Sequence, residues 1–102
     1  MTDPFDLEAQ AQALAQDRDR AALKRAQDDK DLMDLMGGPG GRRIVWRLLE
    51  QTGVFRSSYA GDVDTYFREG SRNIGLMWLA DIHRLCPERY CEMMMEANAN
   101  DD

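Results

Sequence analysis

The sequence predicts an all-α protein: a long N-terminal helical arm followed by a small three-helix domain. Three observations predict it. From Phe5 to Met36 there is no Gly and no Pro, and the residues are mostly Ala, Gln, Leu, Asp, Arg and Lys, largely good helix formers apart from Asp. After a Gly/Pro cluster, large apolar residues recur at spacings of three, four and seven, the period of a helix with one buried face. No segment alternates apolar and polar residues as a half-buried strand does.

The first helix opens at Asp3-Pro4, with Asp as N-cap and Pro at the first helical position. Unbroken to Met36, it would run about 48 Å. Its apolar stripe is thin. Leu7, Ala11, Ala15, Ala22, Ala26, Met33 and Met36 share a face, which Arg18 and Asp29 interrupt. A heptad reading through Leu7, Leu14, Ala21 and Leu35 meets Asp28, whereas a strong coiled coil keeps its seam apolar. The middle, Gln16 to Asp31, is dense in mixed charge, and pairs such as Asp17 with Arg20 contribute only about 0.2–0.5 kcal/mol each. Such a segment is either a solvated arm or one that orders against a partner. In the second case Leu7, Ala11, Leu14, Ala15, Ala22, Ala26 and Met33 would make the contact.

Gly37-Gly38-Pro39-Gly40-Gly41 ends the arm, residues 1–36, and forms a hinge over residues 37–41. The domain then spans 42–97. Arg42 to Gln51 reads as a helix with Ile44, Val45, Leu48 and Leu49 on one broad inward face, Trp46 at its edge, and Gly53 at its C-terminus. A loop, Arg56 to Gly61, leads to Asp62 as N-cap of a helix from Val63 to about Leu85. The expected inward positions there are Val63, Phe67, Gly70, Ile74, Met77, Trp78 and Leu85. Pro87 starts the last helix, in which Tyr90, Met93, Met94 and Ala97 would face the core. Residues 98–102 form a polar tail.

Composition bounds the function. A chain of 102 residues can bury one core, not two. Acidic residues outnumber basic ones by 19 to 13, for a net charge of -6, which opposes non-specific adhesion to DNA or to an anionic membrane. No apolar run approaches the roughly 20 residues of a spanning helix. The start has neither a basic nor an apolar stretch, so no signal peptide is expected. Cys86 and Cys91 are too few for a disulfide framework, which fits a reducing cytoplasm.

Catalytic and metal chemistry find little support. The glycines at 37–41 follow a helix and precede Arg42-Arg43, whereas a phosphate loop follows a strand and ends in Gly-Lys-Ser/Thr. His83, Cys86 and Cys91 offer three soft donors, but a structural zinc site takes four with tighter Cys spacing. Ser57 and Ser58 have no base placed near them, and loop capping accounts for both hydroxyls. Asp62 and Asp64 read as helix-start residues rather than an acid–base pair. No catalytic residue, cofactor or metal is assigned, and the chain is not expected to be an enzyme. The arginines offer more. Arg43 and Arg47, and Arg68 and Arg72, are each four apart, with Arg42 and Arg56 nearby in sequence. They either converge as a dock for phosphate or an acidic protein surface, or pair internally with Glu50, Asp62, Asp64 and Glu69.

One resemblance goes further. Gly41-Arg42-Arg43-Ile44-Val45-Trp46-Arg47-Leu48-Leu49 is followed by Gly53-Val54-Phe55-Arg56-Ser57-Ser58-Tyr59. Then come Tyr66-Phe67-Arg68-Glu69-Gly70-Ser71-Arg72-Asn73-Ile74-Gly75-Leu76 and Pro87-Glu88-Arg89-Tyr90, with Met93, Met94 and Glu96. Over residues 41–97 this resembles a family of small tailed-bacteriophage proteins named from a Bordetella phage, whose genes lie among the head-assembly genes. The resemblance implies a helical, non-enzymatic virion protein of the head, portal or head–tail connector region, made in the host bacterial cytoplasm. Its partners would be portal, capsid or connector subunits, with several copies in a ring and no membrane. An assembly factor absent from the mature particle is the alternative, and a DNA-binding protein using the arginines is a weaker one.

Overall fold

The computed structural model describes residues 4–56 and 63–100. Four helices make up the described chain: α1 (Pro4–Met36), α2 (Pro39–Thr52), α3 (Val63–Leu85) and α4 (Pro87–Asn100), with no strand among the described residues. Asp3, Ser57, Ser58, Asp62 and the end of the tail, for which capping, loop and tail roles are expected, lie outside the described residues.

Local chemistry sets the helix ends. Only Gly37 and Gly38 separate α1 from α2. The expected five-residue hinge shrinks because Pro39 takes the first position of α2, where its missing N–H costs nothing. Gly38, extended at φ -117° and ψ 152°, is the N-cap, and its carbonyl accepts from Arg42 N–H at 3.1 Å. α2 stops at Gly53, whose φ of 78° is left-handed, a conformation glycine adopts without a Cβ penalty. Its N–H donates to the Glu50 carbonyl at 3.1 Å. Cys86 joins α3 to α4, donating to the Ile82 carbonyl at 2.8 Å and accepting from Arg89 N–H at 3.0 Å, before Pro87 opens α4. The helix then runs through the expected polar tail as far as Asn100.

The chain divides into two compact units, residues 1–31 and 32–102. In the first, every residue from Phe5 to Asp28 is exposed. Its polar contacts include the exposed Asp17–Arg20 pair at 3.9 Å and a 2.7 Å hydrogen bond from Gln27 to Asp31.

In the second unit, α2 packs against both α3 and α4, which also meet each other. Leu32, Met36, Val45, Leu49, Val54, Ile82, Cys86 and Met93 form the buried core, with Trp46, Leu79, Leu85 and Tyr90 packed against it. The last turn of α1 therefore belongs to this unit, since Met36 is fully buried. Two glycines set the close approaches. A Cβ on Gly41 would run into the Leu35 carbonyl, and one on Gly75 would run into the Thr52 hydroxyl.

Three expected inward faces are corrected. α3 turns Phe67, Gly70, Ile74, Met77 and Trp78 outward, with Phe67 78% and Trp78 54% exposed. Its buried face is instead Gly75, Ile82 and Cys86, with Leu79 half-buried. These positions also step by four, three and four. The helix carries two apolar stripes, and the one containing Gly75 allows the backbone to approach Thr52 and Val54. On α2 only Val45 and Leu49 of the expected four are buried, sharing their stripe with Arg42, while Ile44 and Leu48 are exposed. On α4 Met93 is buried and Tyr90 and Ala97 are half-buried, but Met94 is exposed.

Candidate partner-binding surfaces

Arg42 is the one buried charged residue of the described core, 7% exposed. It follows α1 by one turn of α2, which aims its side chain back at the end of α1. Its Nη1 donates to the Met36 carbonyl at 2.9 Å, one of the last carbonyls of α1, which has no helical partner. Its Nε donates to Glu96 Oε1 at 3.0 Å, and its Nη2 lies 2.7 Å from the same oxygen. Glu92 Oε2 stands 3.4 Å from Nη1. Glu92 and Glu96, four apart, occupy one face of α4. The planar guanidinium thus joins three helices through donors that Lys lacks. The hydrogen bond to Glu96 raises its pKa above the ordinary value; burial opposes this, and the charges of Glu96 and Glu92 add to the rise. Glu92 also accepts both its bonds from Arg89 Nη1, at 3.1 and 3.0 Å.

Arg42 is therefore engaged inside the fold by Met36, Glu92 and Glu96, and it also lines the groove that holds Arg43 and Arg47. The other arginines do not gather into one patch. Arg43 and Arg47 line an open groove with Trp46 and Glu96, between α2 and α4. Arg56 and Arg68 line a second, with Thr52, Phe67 and Ser71, between the end of α2 and α3. Arg56 also donates to the Glu50 backbone carbonyl at 3.4 Å. Arg72 is half-buried, and its Nε has no hydrogen-bond partner among the described residues. The expected pairing with Asp62 lies outside the described residues.

The candidate arm residues Leu7, Ala11, Leu14, Ala15, Ala22 and Ala26 are all exposed, and so is Met33 at 41%. Of the three soft donors, Cys86 is buried and Cys91 exposed, while His83 packs edge-on against Tyr90 at 4.5 Å between ring centroids. Among the described residues, no three His, Cys, Asp or Glu side chains converge as metal ligands would. Burial pushes the Cys86 thiol up from its ordinary pKa; the Glu88 charge adds to this and Arg89 opposes it. No described helix is long and apolar enough to cross a membrane.

Residues 32–95 match the family described as Bbp19-like phage protein. The chain belongs to that family. The match covers more than half of the chain and begins at Leu32, the residue at which the second compact unit also begins. The family domain thus includes the last turn of α1, nine residues upstream of where the quoted motifs begin, because Leu32 and Met36 are core side chains. Residues 1–31 stand outside the family match. No curated protein and no solved structure matches the chain.

Two features escaped the sequence reading. Arg42 gave one signal: it shares a 3-4 spacing with Val45 and Leu49, so the buried stripe of α2 contains a charge, while Glu92 and Glu96 offer matching carboxylates at helical spacing. The exposed stripe of α3 was legible as apolar, but its outward direction was not.

Proposed function

We propose that this phage protein is a non-enzymatic structural component of the particle, in the head, portal or head–tail connector region. Its family domain is the folded body, and residues 1–31 are the arm that engages neighbouring portal, capsid or connector subunits. One observation carries this reading: from Phe5 to Asp28 a helix exposes every side chain, including Phe5, Leu7, Leu14 and Leu23 at 55–78%. Helices in proteins draw most of their stability from packing an apolar face, and a partner would supply that packing. A helix laid on or between other helices suits its small-residue stripe. Copies arranged in a ring would repeat the contact.

The test is incorporation. A phage lacking the gene is complemented with the full chain or with Leu7→Glu/Leu14→Glu, and purified particles are probed by mass spectrometry. The expected result is that the wild type is present and the double variant is depleted at least tenfold. Equal incorporation of the variant would refute the arm. Absence of the wild type from finished particles would favour the second reading, an assembly factor that leaves before maturation. DNA binding through the arginines has less support, because Arg42 is engaged by Glu92 and Glu96, Arg43 and Arg47 line one groove, Arg56 and Arg68 line another, and Arg72 is in neither lining.

A further inference from the structure

α3 carries an apolar seam that the core of its own unit leaves uncovered. Phe67, Ile74 and Met77 are 78%, 55% and 69% exposed, and Tyr66 and Trp78 beside them are 81% and 54% exposed. Gly70 lies within the seam, with no atom within 4 Å of the place a Cβ would occupy. Positions 67, 70, 74 and 77 step by three, four and three, the spacing of a seam between two helices wound around each other. Asp81, the next position, is ion-paired with Arg84 at 3.1 Å and ends the seam.

We propose that this face pairs with the same face of a second copy of the chain, α3 against α3, antiparallel about a two-fold axis. The area fits a dimer. Aromatic side chains bury about 150–250 Å² each, so the five exposed residues present roughly 600 Å² per copy. Two copies bring about 1,200 Å², the lower edge of a specific, stable interface, and about 600 Å² per copy stands at the top of the range for the largest patch a monomer leaves bare. The side-chain sizes fit as well. In the antiparallel register centred on position 72, Phe67 faces Met77 of the second copy and Gly70 faces Ile74 of the second copy. Each layer then pairs a large residue with a large one, or the empty position with a branched one. An isologous contact needs this self-complementarity. The arm of a neighbouring chain is a poorer occupant, because Arg18 and Asp29 break its stripe. The seam is built from residues 66–78 alone, and the proposal does not depend on the arm reading.

Sedimentation equilibrium of the purified full chain tests this. At about 100 µM the wild type sediments at twice 11.7 kDa. Ile74→Glu places an unpaired charge in the contact and weakens association at least about 100-fold, with helicity unchanged. If Ile74→Glu loses helicity, Phe67→Ser at the more exposed position carries the same expectation. Leu7→Glu leaves the mass at the dimer value. In a Cys91→Ser background, mixing Gly70→Cys with Ile74→Cys chains and oxidising them with oxidised glutathione gives a disulfide-linked heterodimer in preference to either homodimer. A wild-type monomer at this concentration overturns the proposal. So does a dimer that both charged and polar seam variants leave intact, or one that Leu7→Glu dissolves. Predominant Ile74→Cys homodimers would overturn the antiparallel arrangement.

Discussion

Truncating Ile82 and Phe67 to Ala separates the two faces of α3. Both side chains are large and apolar, and both lie on stripes with helical spacing, yet Ile82 is 0% exposed and Phe67 78%. Ile82→Ala removes three carbon atoms worth about 0.8 kcal/mol each in transfer from water and leaves a cavity among Leu49, Met93 and the other core side chains. Together these cost about 3–4 kcal/mol, within the range for buried Ile→Ala changes. Total stability of a small domain is about 5–15 kcal/mol, so the loss is a large fraction of it. The thermal midpoint falls by roughly 12–30 °C. Phe67→Ala removes more atoms but little that is shielded from water in the single chain, and costs under about 1 kcal/mol. The assay is urea denaturation followed by tryptophan fluorescence, to which Trp46, stacked on Phe55 at 4.8 Å between centroids, and the exposed Trp78 both contribute, with far-UV circular dichroism as a second probe. It is run at low micromolar concentration and repeated at tenfold higher concentration to separate folding from association. A cost for Phe67→Ala equal to that of Ile82→Ala, independent of concentration, would falsify the assignment of the buried face.

The two glycines of α3 should respond oppositely to Ala. At low micromolar concentration, where the chain is monomeric, Gly70→Ala adds helix propensity worth up to about 1 kcal/mol in space that is open in the single chain and raises the melting temperature, whereas Gly75→Ala collides with Thr52 and lowers stability by about 1–3 kcal/mol despite the same propensity gain; a rise for both in thermal melts would contradict the close approach. Arg42→Lys should melt below the wild type and Arg42→Ala lower still, because an ammonium cannot meet Met36, Glu92 and Glu96 together; indistinguishable melting curves for Lys and Arg would remove the three-helix role. An aromatic disulfide reagent should titrate one thiol, Cys91, in the native protein and both after unfolding, since Cys86 is buried. The raised Cys86 pKa also gives alkaline sensitivity. Folding favours the protonated thiol, so that contribution is whole below the ordinary value of 9.0 and is lost as pH rises through the higher folded value. Cys86→Ala should flatten this part of the pH–stability curve, and an unchanged slope would assign it elsewhere.

Much of the secondary structure was legible because its causes are local. Pro4, Pro39 and Pro87 start helices, Gly53 ends one, and the Gly-free run to Met36 makes another. The family was legible too, since the quoted motif residues from Gly41 to Met94 lie inside the matched region. The thin apolar stripe of residues 1–31 was likewise readable, because burial needs apolar surface and there is little of it there. What required tertiary structure was direction. α3 bears two stripes of equal periodicity, and helical spacing cannot rank them. The choice fell to Gly75, where a missing Cβ lets α3 approach Thr52 and Val54, over the larger side chains of the opposite stripe. Arg42 followed the same logic: its charge predicted exposure, but three helices brought the Met36 carbonyl and two carboxylates to it. Periodicity is a property of one helix, whereas which face is buried depends on the shape and charge of the helices that meet it.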